Sequence, residues 1–462
     1  MKRSSIIPFI LAVILGACST PAYVPTADEG GSTRFDSEAP HFDVDVMATI
    51  NEGSSGIDVY VSVPHSSLSF TSVDSAFTAS YELLTRVRPS GGTGNVHSDS
   101  WSDTVRVFDY GSTVGSSTRN HHKRIPLPAG SYLVETVLET ASGGARAVRR
   151  IIVDVFSPGE PALSDIQLRA RREGGPFEPE LSFHVRAGYD SLRVLTELYS
   201  IGDEAEASLS LVRLVSDTLA ASPPFWFTPG PFSLSYLGID YEYGDTIQVT
   251  RRRVRNAAEE VAIEFTLPDL ERGNYVALVT VEGGSQPLSA RRYFSVRRTE
   301  FPYIASLREM VESLVYIARE DELREILSAA TSAEMKARFD AFWAARVPNR
   351  EAAASILQSY YSRVEEANLL FSNHKEGWKT DEGMVFIVFG APAYTETHHI
   401  RKYWYYFESG FPVSQRLEPF VFRKSTAYGF AGLFENYVLQ RSENFELQWR
   451  RRVDRWRDGT VL

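Results

Sequence analysis

The sequence contains only one cysteine, Cys18, among its 462 residues. A lone cysteine excludes an intramolecular disulfide and a zinc site made of several thiolates. Positive charge is also in short supply, because 48 Lys and Arg residues stand against 59 Asp and Glu residues, giving a formal net charge of −11. Nucleic acids are held chiefly by Lys and Arg contacts to phosphate, so this balance argues against a nucleic-acid partner.

Sequence signatures of catalysis and cofactor binding are missing as well. The chain has no Gly-x-Ser-x-Gly elbow, no His-Glu-x-x-His motif and no glycine-rich phosphate-binding loop. Two pairs of adjacent histidines occur, His121-His122 and His398-His399, but neighbours on a strand point to opposite faces and do not readily bind one ion. We interpret both pairs as solvated loop residues and expect neither a metal site nor a cofactor.

The N-terminus, in contrast, contains the ordered features of an export signal. Two basic residues, Lys2-Arg3, precede the apolar run Ile6–Leu15, which is too short to span a bilayer. The tetrapeptide Leu15-Gly16-Ala17-Cys18 closes this run and resembles the lipobox of bacterial lipoproteins. The resemblance implies cleavage of a signal peptide, residues 1–17, and diacylation of Cys18. An ordinary cleaved signal with a coincidental cysteine is the alternative.

Attachment of lipid to Cys18 predicts a location in the cell envelope, anchored in a membrane. Two or three acyl chains anchor a protein stably, whereas a single chain binds only marginally. Ser19 follows the cysteine, where an aspartate would retain a lipoprotein at the inner membrane in well-studied enterobacterial sorting, so the outer membrane is favoured. Residues 18–41 are rich in small and polar residues and hold few large apolar groups, which predicts a disordered tether.

The region after this tether has the period-two hydrophobic pattern of half-buried antiparallel strands. The first run has alternating apolar residues, which are Phe42, Val44, Val46, Ala48 and Ile50. Polar turn clusters separate this run from similar ones that follow. The pattern predicts a multidomain, mainly β fold, with one β-sandwich over residues 42–156 and a second over residues 157–299.

The two predicted sandwiches share a sequence repeat that ends in Gly-x-Tyr. Leu127-Pro128 precedes Gly130-Ser131-Tyr132, and Leu267-Pro268 precedes Gly273-Asn274-Tyr275. Gly-x-Tyr at the entry to a strand resembles the tyrosine corner of Greek-key domains, in which the hydroxyl bonds to an upstream backbone group. We therefore predict tandem antiparallel, Ig-like sandwiches, with two unrelated hairpins as the alternative.

The hydrophobic period changes to 3.6 at Tyr303, which predicts a helical segment over residues 300–375. Three amphipathic helices account for this segment, and we interpret their aromatic residues as core rather than as ligand contacts. The next apolar run, Met384–Phe389, predicts a strand. Residues 376–462 are predicted to form a C-terminal α+β domain.

The most specific motif of the chain, Gly377-Trp378-Lys379-Thr380-Asp381, stands at the start of this last domain. Gly-Trp-x-Thr-Asp, followed closely by an apolar run and a glycine-containing turn, resembles the GWxTD domain of exported bacterial proteins. Two departures occur: Glu382 stands where a basic residue is common, and Gly390-Ala391-Pro392-Ala393 lacks the frequent Pro-Pro-Asp turn. The family has no established activity, so the resemblance implies a domain map and no reaction.

The motif supports two hypotheses about its role. In the first, Gly377 and Trp378 form a rigid corner, while Thr380 and Asp381 tie the turn through side-chain-to-backbone hydrogen bonds. In the second, Asp381 and Thr380 line a polar pocket together with the nearby His374.

Two aromatic clusters lie outside the motif. The C-terminal segment combines arginine and tryptophan in an otherwise acidic chain and would suit anionic lipid heads or an acidic polysaccharide. Its candidate surface contacts are Trp449, Arg450, Arg451, Arg452 and Trp456. A terminal strand or helix with packed tryptophans is the alternative. Phe225-Trp226-Phe227, in an inter-strand loop, would be a docking tip if exposed and a sandwich plug if buried.

Three functions fit these observations. We favour a non-enzymatic envelope lipoprotein whose modules bind or assemble with an envelope protein or a glycan. An enzyme of unknown reaction, with a polar site around the GWxTD motif, is the second. A structural subunit of an outer-membrane complex is the third, and a stable complex on purification would distinguish it.

Overall fold

The structure is a computed structural model, and the described residues form a mainly β fold with helices concentrated towards the C-terminus. The described residues are 22–23, 32–33, 40–114, 117–141, 146–186, 188–257, 260–283, 286–298, 302–346, 350–398, 400–407, 418–425 and 434–461. Two short strands, β1 Ala22–Tyr23 and β2 Ser32–Thr33, precede the main fold. Cys18 and the predicted signal peptide, residues 1–17, lie outside the described residues.

The first sheet pair is a β-sandwich with its own hydrophobic core. Its strands are β3 Asp43–Asn51, β4 Ser54–Pro64, β5 Thr71–Val73, β6 Ala76–Pro89, β7 His97–Val107, β8 Thr118–Pro126, β9 Gly130–Thr140 and β10 Arg146–Val155, with the short helix α1 Gly111–Val114 after β7. One sheet has the order β3-β4-β8, and the other contains β10, β9 and β6, with β5 and β7 both paired to β6. Apolar side chains from both sheets meet between them, including Val59, Leu83 and Leu138. The predicted antiparallel sandwich is confirmed here.

The second sheet pair repeats this arrangement. Its elements are β11 Ala162–Leu163, β12 Gln167–Arg171, β13 Phe177–Pro179, β14 His184–Arg186, β15 Ser191–Tyr199, β16 Gly202–Ser216, α2 Leu234–Leu237, β17 Ile239–Ala257, β18 Glu260–Thr266, β19 Gly273–Glu282 and β20 Leu288–Arg297. One sheet has the order β11-β15-β12-β13 with β18 beside β15, and the other has the order β14-β20-β19-β16-β17. β14 and β20 run parallel, unlike the antiparallel pairing that the sequence predicted, because a long connection separates them in the chain.

Both sandwiches contain the tyrosine corner predicted from Gly-x-Tyr. The Tyr132 hydroxyl donates a hydrogen bond to the Pro128 carbonyl at 3.0 Å, and the Tyr275 hydroxyl donates to the Glu271 carbonyl at 2.7 Å. In each case the acceptor lies four residues upstream of the tyrosine. The local spacing was sufficient to predict these bonds, since donor and acceptor belong to the same turn.

The C-terminal unit packs helices against a small sheet around one hydrophobic core. Its elements are α3 Leu307–Ser313, α4 Glu320–Leu327, α5 Ser332–Ala344, α6 Arg350–Phe371, α7 Asp381–Phe389, β21 Tyr394–His398, β22 Arg401–Tyr405, β23 Phe420–Lys424, β24 Tyr437–Leu439 and α8 Phe445–Arg457. The sheet has the order β2-β21-β22-β23-β24. Large side chains fill the core, among them Trp343, Tyr360, Trp404 and Trp456. Residues 300–375 and 376–462, which the sequence separated, therefore contribute to the same core.

The apolar run Met384–Phe389 is helical, so the predicted strand is wrong. The run forms the body of α7, and every residue from Glu382 to Phe389 is buried. A helix that is buried on all sides carries no amphipathic pattern, and a short apolar run then looks like a buried strand. Thr380 caps the helix, accepting a hydrogen bond from the Gly383 amide at 3.0 Å.

The predicted tether, residues 18–41, is also not wholly without structure. β1 pairs with β10 at the edge of the first sandwich, and β2 pairs with β21. Edge strands have unpaired backbone groups, which these short segments can satisfy. Elsewhere, none of the helices in the described part of the chain is long and apolar enough to cross a membrane.

Candidate functional site

The GWxTD motif lies at a close crossing between a 3₁₀ turn, Gly377–Lys379, and the helices α6 and α7. A Cβ atom on Gly377 would lie 2.0 Å from the Ala367 carbonyl oxygen, and one on Gly383 would lie 1.9 Å from the Gly377 carbonyl oxygen. A Cβ atom cannot lie this close to a backbone oxygen, so no residue with a side chain fits at either position. Glycine at both positions therefore allows the turn to pack directly on the two helices.

Trp378 is buried and ties the turn to two helical segments. Its backbone amide donates to the Asn368 side-chain oxygen at 3.1 Å, and its carbonyl accepts from the Tyr316 hydroxyl at 2.7 Å. The Tyr316 and Trp378 rings meet edge to face at 6.3 Å between centroids. The tryptophan thus acts as a packing residue, because only 4% of its surface is exposed.

Thr380 and Asp381 are both engaged inside the protein. The Thr380 hydroxyl donates to the Gly377 carbonyl at 2.7 Å in addition to capping α7. The Asp381 carboxylate accepts a hydrogen bond from the Leu439 amide at 2.8 Å and forms a buried ion pair with Arg441. Arg441 also donates to the Ser222 carbonyl at 3.0 Å. Asp381 therefore joins the motif to β24 and, through Arg441, to a loop of the second sandwich.

Glu382 departs from the family pattern and has its own buried partner. Burial raises the pKa of the Glu382 carboxyl, while the Lys402 ammonium, 2.9 Å away, acts in the opposite direction. Lys402 on β22 therefore supplies the basic group at this corner, where the family commonly has a basic residue at the position of Glu382.

His374 lies elsewhere, at the junction between the C-terminal unit and the second sandwich. Its carbonyl accepts a hydrogen bond from the Asn274 side chain at 2.9 Å, and its ring packs on Phe434. A Cβ on Gly238 would lie 2.6 Å from Nδ1, so only glycine fits opposite this ring. Within the described residues, neither ring nitrogen of His374 has a hydrogen-bond partner. No hydrogen bond there joins His374 to Thr380 or Asp381, whose partners lie in the motif itself and in β24.

A second histidine, His184, lies partly buried in the same junction. Its Nδ1 is 2.7 Å from the Ser295 hydroxyl, and its Nε2 is 3.4 Å from the Ser372 carbonyl. Burial lowers the pKa of His374 well below its ordinary value, and nearby Lys375 and Arg297 act in the same direction. Burial likewise lowers the pKa of His184, with Arg297 adding to the effect. Both shifts favour the neutral imidazole in the folded protein.

These neutral histidines predict that acid destabilises the junction. An unfolded histidine takes up a proton below about pH 6.5, whereas the folded ones, with their lowered pKa, do so only at lower pH, so unfolding is favoured as the pH falls. We expect the free energy of unfolding to drop by up to about 1.4 kcal/mol per pH unit for each histidine below that pH. Denaturant unfolding from pH 7.5 to 5.0 measures this slope, and His374→Leu should reduce it.

Ile326→Val provides the control for this measurement. It weakens the core of the C-terminal unit without removing a titrating group, so it should leave the slope unchanged. Comparing slopes removes the contribution of carboxyl groups, which titrate in wild type and variants alike. Equal slopes for wild type and His374→Leu would contradict the prediction.

The second sandwich meets the motif through the segment between β16 and α2. The buried Asp217 carboxylate forms an ion pair with the Lys375 ammonium, 2.6 Å away. The Ala221 amide donates a hydrogen bond to the Lys379 carbonyl at 2.9 Å. The Pro224 carbonyl accepts from the Ser442 amide at 2.9 Å. The motif is thus the point where this inter-strand segment is fixed to the C-terminal unit.

Beyond these anchor points the segment projects aromatic side chains into solvent. Trp226, Phe227 and Phe232 have exposed fractions of 65%, 74% and 81%. Phe225 is partly buried, with the Arg450 guanidinium 5.7 Å above its ring. Trp226 and Phe227 therefore form an exposed tip, which was one of the two predicted alternatives, rather than a buried plug of the sandwich.

The C-terminal arginine and tryptophan cluster forms α8, with its tryptophans inside. Trp449 and Trp456 are buried, and the Trp456 indole donates to the Val388 carbonyl at 3.0 Å. Neither tryptophan is the surface contact that the sequence suggested, because both face the shared core. Arg450 and Arg451 are exposed, and Arg450 pairs with Glu446 one turn away at 2.7 Å. Arg452 lies over the Phe389 ring at 5.7 Å.

The first pair of adjacent histidines lies on strand β8, so the predicted loop is wrong. His121 Nε2 is 2.7 Å from the Tyr81 hydroxyl, and His122 Nε2 is 2.7 Å from an Asp58 carboxylate oxygen. His398 ends β21 with an exposed side chain, and His399 lies outside the described residues. In the part of the chain that the structure describes, no three His, Cys, Asp or Glu side chains are grouped to hold a metal ion.

Comparison with protein families identifies the C-terminal unit. The family model of the GWxTD domain matches residues 280–458. The chain therefore contains a GWxTD domain, as the motif implied, and the match begins within β19 of the second sandwich. No curated protein matches this chain.

One solved structure shows a slight similarity to this chain. The crystal structure of red sea bream transglutaminase aligns at 10% sequence identity with a TM-score of 0.19, covering 56% of this chain. The alignment spans 31% of that transglutaminase. A TM-score this low does not establish a shared fold.

Proposed function

We propose that this chain is a lipid-anchored protein of the bacterial cell envelope that acts as a non-enzymatic binding or assembly module. Cys18 carries the lipid in this proposal, after removal of residues 1–17, and the outer membrane is the favoured location. The lipobox-like tetrapeptide and the export signal support the anchor. The internal contacts of Thr380, Asp381 and His374 favour a structural role for the GWxTD motif over a catalytic one.

The observation that carries the binding role is the long strand β17, Ile239–Ala257, at the edge of a sheet. In the described residues β17 pairs with β16 alone, so its other edge presents backbone donors and acceptors to solvent. Its outward side chains include Ile247 and Val249, which are 44% and 57% exposed. An exposed edge with apolar side chains is a template for adding a strand from another chain.

The charge on β17 specifies the chemistry of that added strand. Arg251, Arg253 and Arg255 follow Val249 on the outward face, and all three are exposed. The contacts of Arg251 with Glu206 and of Arg255 with Glu204 are long, at 3.9 and 4.0 Å, and solvent-exposed. Such pairs contribute little stability, so they can exchange for a partner's carboxylates. The proposed partner is an extended acidic segment of an envelope protein.

This mode of binding also accommodates the assembly alternative. Strand addition buries backbone hydrogen bonds along a continuous edge, which suits a stable subunit of an outer-membrane complex. A glycan partner is a further alternative, and it would use aromatic stacking rather than an edge strand.

Purification of the native lipidated protein from its own membrane fraction, in mild detergent, tests the proposal. We expect a co-purifying protein that is lost when Arg251→Gln, Arg253→Gln and Arg255→Gln are combined. The matched control removes three exposed positive charges elsewhere, Arg308→Gln, Arg324→Gln and Lys336→Gln, and should keep the partner. Absence of a partner from wild type, or equal recovery from both triple variants with unchanged melting temperatures, would contradict binding at β17.

A further inference from the structure

The segment between β16 and β17 differs in composition from the rest of the molecule. From Thr218 to Gly238 it contains no Asp, Glu, Lys, Arg or His, although 23% of the whole chain is charged. Its exposed apolar side chains are Leu219, Trp226, Phe227 and Phe232. Soluble loops of this length normally place ionised groups on their surface, so a charge-free, aromatic loop requires another explanation.

The inner side of the loop is hydrogen-bonded to the rest of the protein. The exposure of its aromatic residues is therefore not the result of a loop that has failed to pack. The Ala221 amide and the Pro224 carbonyl are hydrogen-bonded to the C-terminal unit, and the Tyr236 hydroxyl reaches the Lys424 carbonyl at 3.4 Å. The Ser233 hydroxyl caps α2, which ends the loop. A fixed base with an apolar tip is suited to entering an apolar phase, because the tip loses little conformational freedom on binding.

The composition fits a bilayer boundary better than a protein surface. Tryptophan and phenylalanine are favoured where headgroups meet acyl chains, and insertion of this loop would not remove any charged side chain from water. The adjoining helix α8 contributes Arg450, which lies over the Phe225 ring and pairs with Glu446. Its exposed guanidinium is also able to contact lipid phosphate.

We infer that the loop Ser222–Ser233 inserts Trp226, Phe227 and Phe232 into the headgroup boundary of a phospholipid bilayer. The inference rests on the proposed lipid anchor, which brings the chain to a membrane in the first place. The aromatic loop then forms a second membrane contact and restricts how the anchored protein is oriented. The short helix α2 connects this loop to the edge strand β17, so the same contact positions the proposed partner-binding edge relative to the membrane.

Tryptophan quenching in vesicles tests this contact with the full lipidated chain. The probe is a vesicle of phosphatidylethanolamine and phosphatidylglycerol with brominated acyl chains, into which the purified protein is reconstituted. Trp226 emission should be quenched by the brominated lipid, and Trp226→Phe should abolish most of the quenching seen in wild type. Trp101→Phe is the matched control, because Trp101 lies in the first sandwich and should not contribute.

Flotation of the same vesicles separates the two levels of the proposal. A chain that floats but whose quenching is unchanged by Trp226→Phe would overturn the loop contact and leave the lipid anchor standing. A chain that neither floats nor is quenched would overturn both. In living cells, a photo-cross-linking amino acid at position 227 should yield lipid adducts, whereas a discrete protein adduct would show that a protein covers the loop and would overturn the inference.

Discussion

Gly377→Ala is expected to unfold the GWxTD domain under conditions in which the wild-type domain stays folded. The new Cβ would lie 2.0 Å from the Ala367 carbonyl oxygen and 2.8 Å from the Asn368 Cα, so α6 and the turn would have to separate. Overpacking against backbone atoms cannot be relieved by a rotamer change, and we expect a loss of at least about 3 kcal/mol in stability. Hydrogen exchange of the α6 and α7 amides measures the effect locally, which suits a chain with several units.

Other glycines of the chain supply both a repetition and a control. Gly383→Ala should reproduce the effect, because its Cβ would lie 1.9 Å from the Gly377 carbonyl oxygen on the other side of the same crossing. Gly230→Ala should be silent, since no atom lies within 4 Å of the added carbon. If the α6 and α7 amides of the Gly377→Ala variant exchanged no faster than those of the Gly230→Ala variant, the close crossing would not be the reason for glycine in the motif.

Features that depend on neighbours in sequence were predictable. The tyrosine corners follow from Gly-x-Tyr because the acceptor carbonyl lies within the same turn. Trp449 and Trp456 are seven residues apart, a spacing that places both on one face of the helix α8 and is compatible with packing. The sequence alone left that choice open because the arginines between them would also suit a charged surface.

The error at α7 has a different origin. Its apolar residues are buried on every side, so hydrophobic periodicity gives no information about helix or strand. The useful signal lay before the run, where Thr380 is an N-cap residue and Asp381 and Glu382 provide negative charge in the first turn. Read as a helix start, the second half of the GWxTD motif predicts α7.

The contacts of the motif were beyond prediction because their partners come from distant parts of the chain. Asp381 meets Arg441, 60 residues away, and the His374 carbonyl meets Asn274, 100 residues away. Gly238, which makes room for the His374 ring, belongs to a different unit and has no local relation to the motif. Nothing in the spacing of His374, Thr380 and Asp381 shows that the first faces the second sandwich while the others face inward.

Asp381→Ala is expected to destabilise the GWxTD domain by about 3–5 kcal/mol, because it leaves a buried guanidinium without its counter-ion. Only 3% of the Arg441 side chain and 10% of the Asp381 side chain are exposed. The Leu439 amide would lose its acceptor as well. Asp340→Ala removes one partner of the exposed Lys336–Asp340 pair and should change the stability by less than about 0.5 kcal/mol.

A double variant separates a structural from a functional role for Asp381. Asp381→Ala combined with Arg441→Met removes both charges, so most of the lost stability should return, since replacing a buried ion pair with apolar residues is often close to neutral. Denaturant unfolding of the four members of this cycle measures the coupling. Because Arg441 also holds the Ser222 carbonyl, Arg441→Met should increase hydrogen exchange in the segment that carries the aromatic loop. An Asp381→Ala protein that is as stable as wild type but has lost a measurable activity or partner would contradict the structural role. Such a result would identify the motif as a functional site.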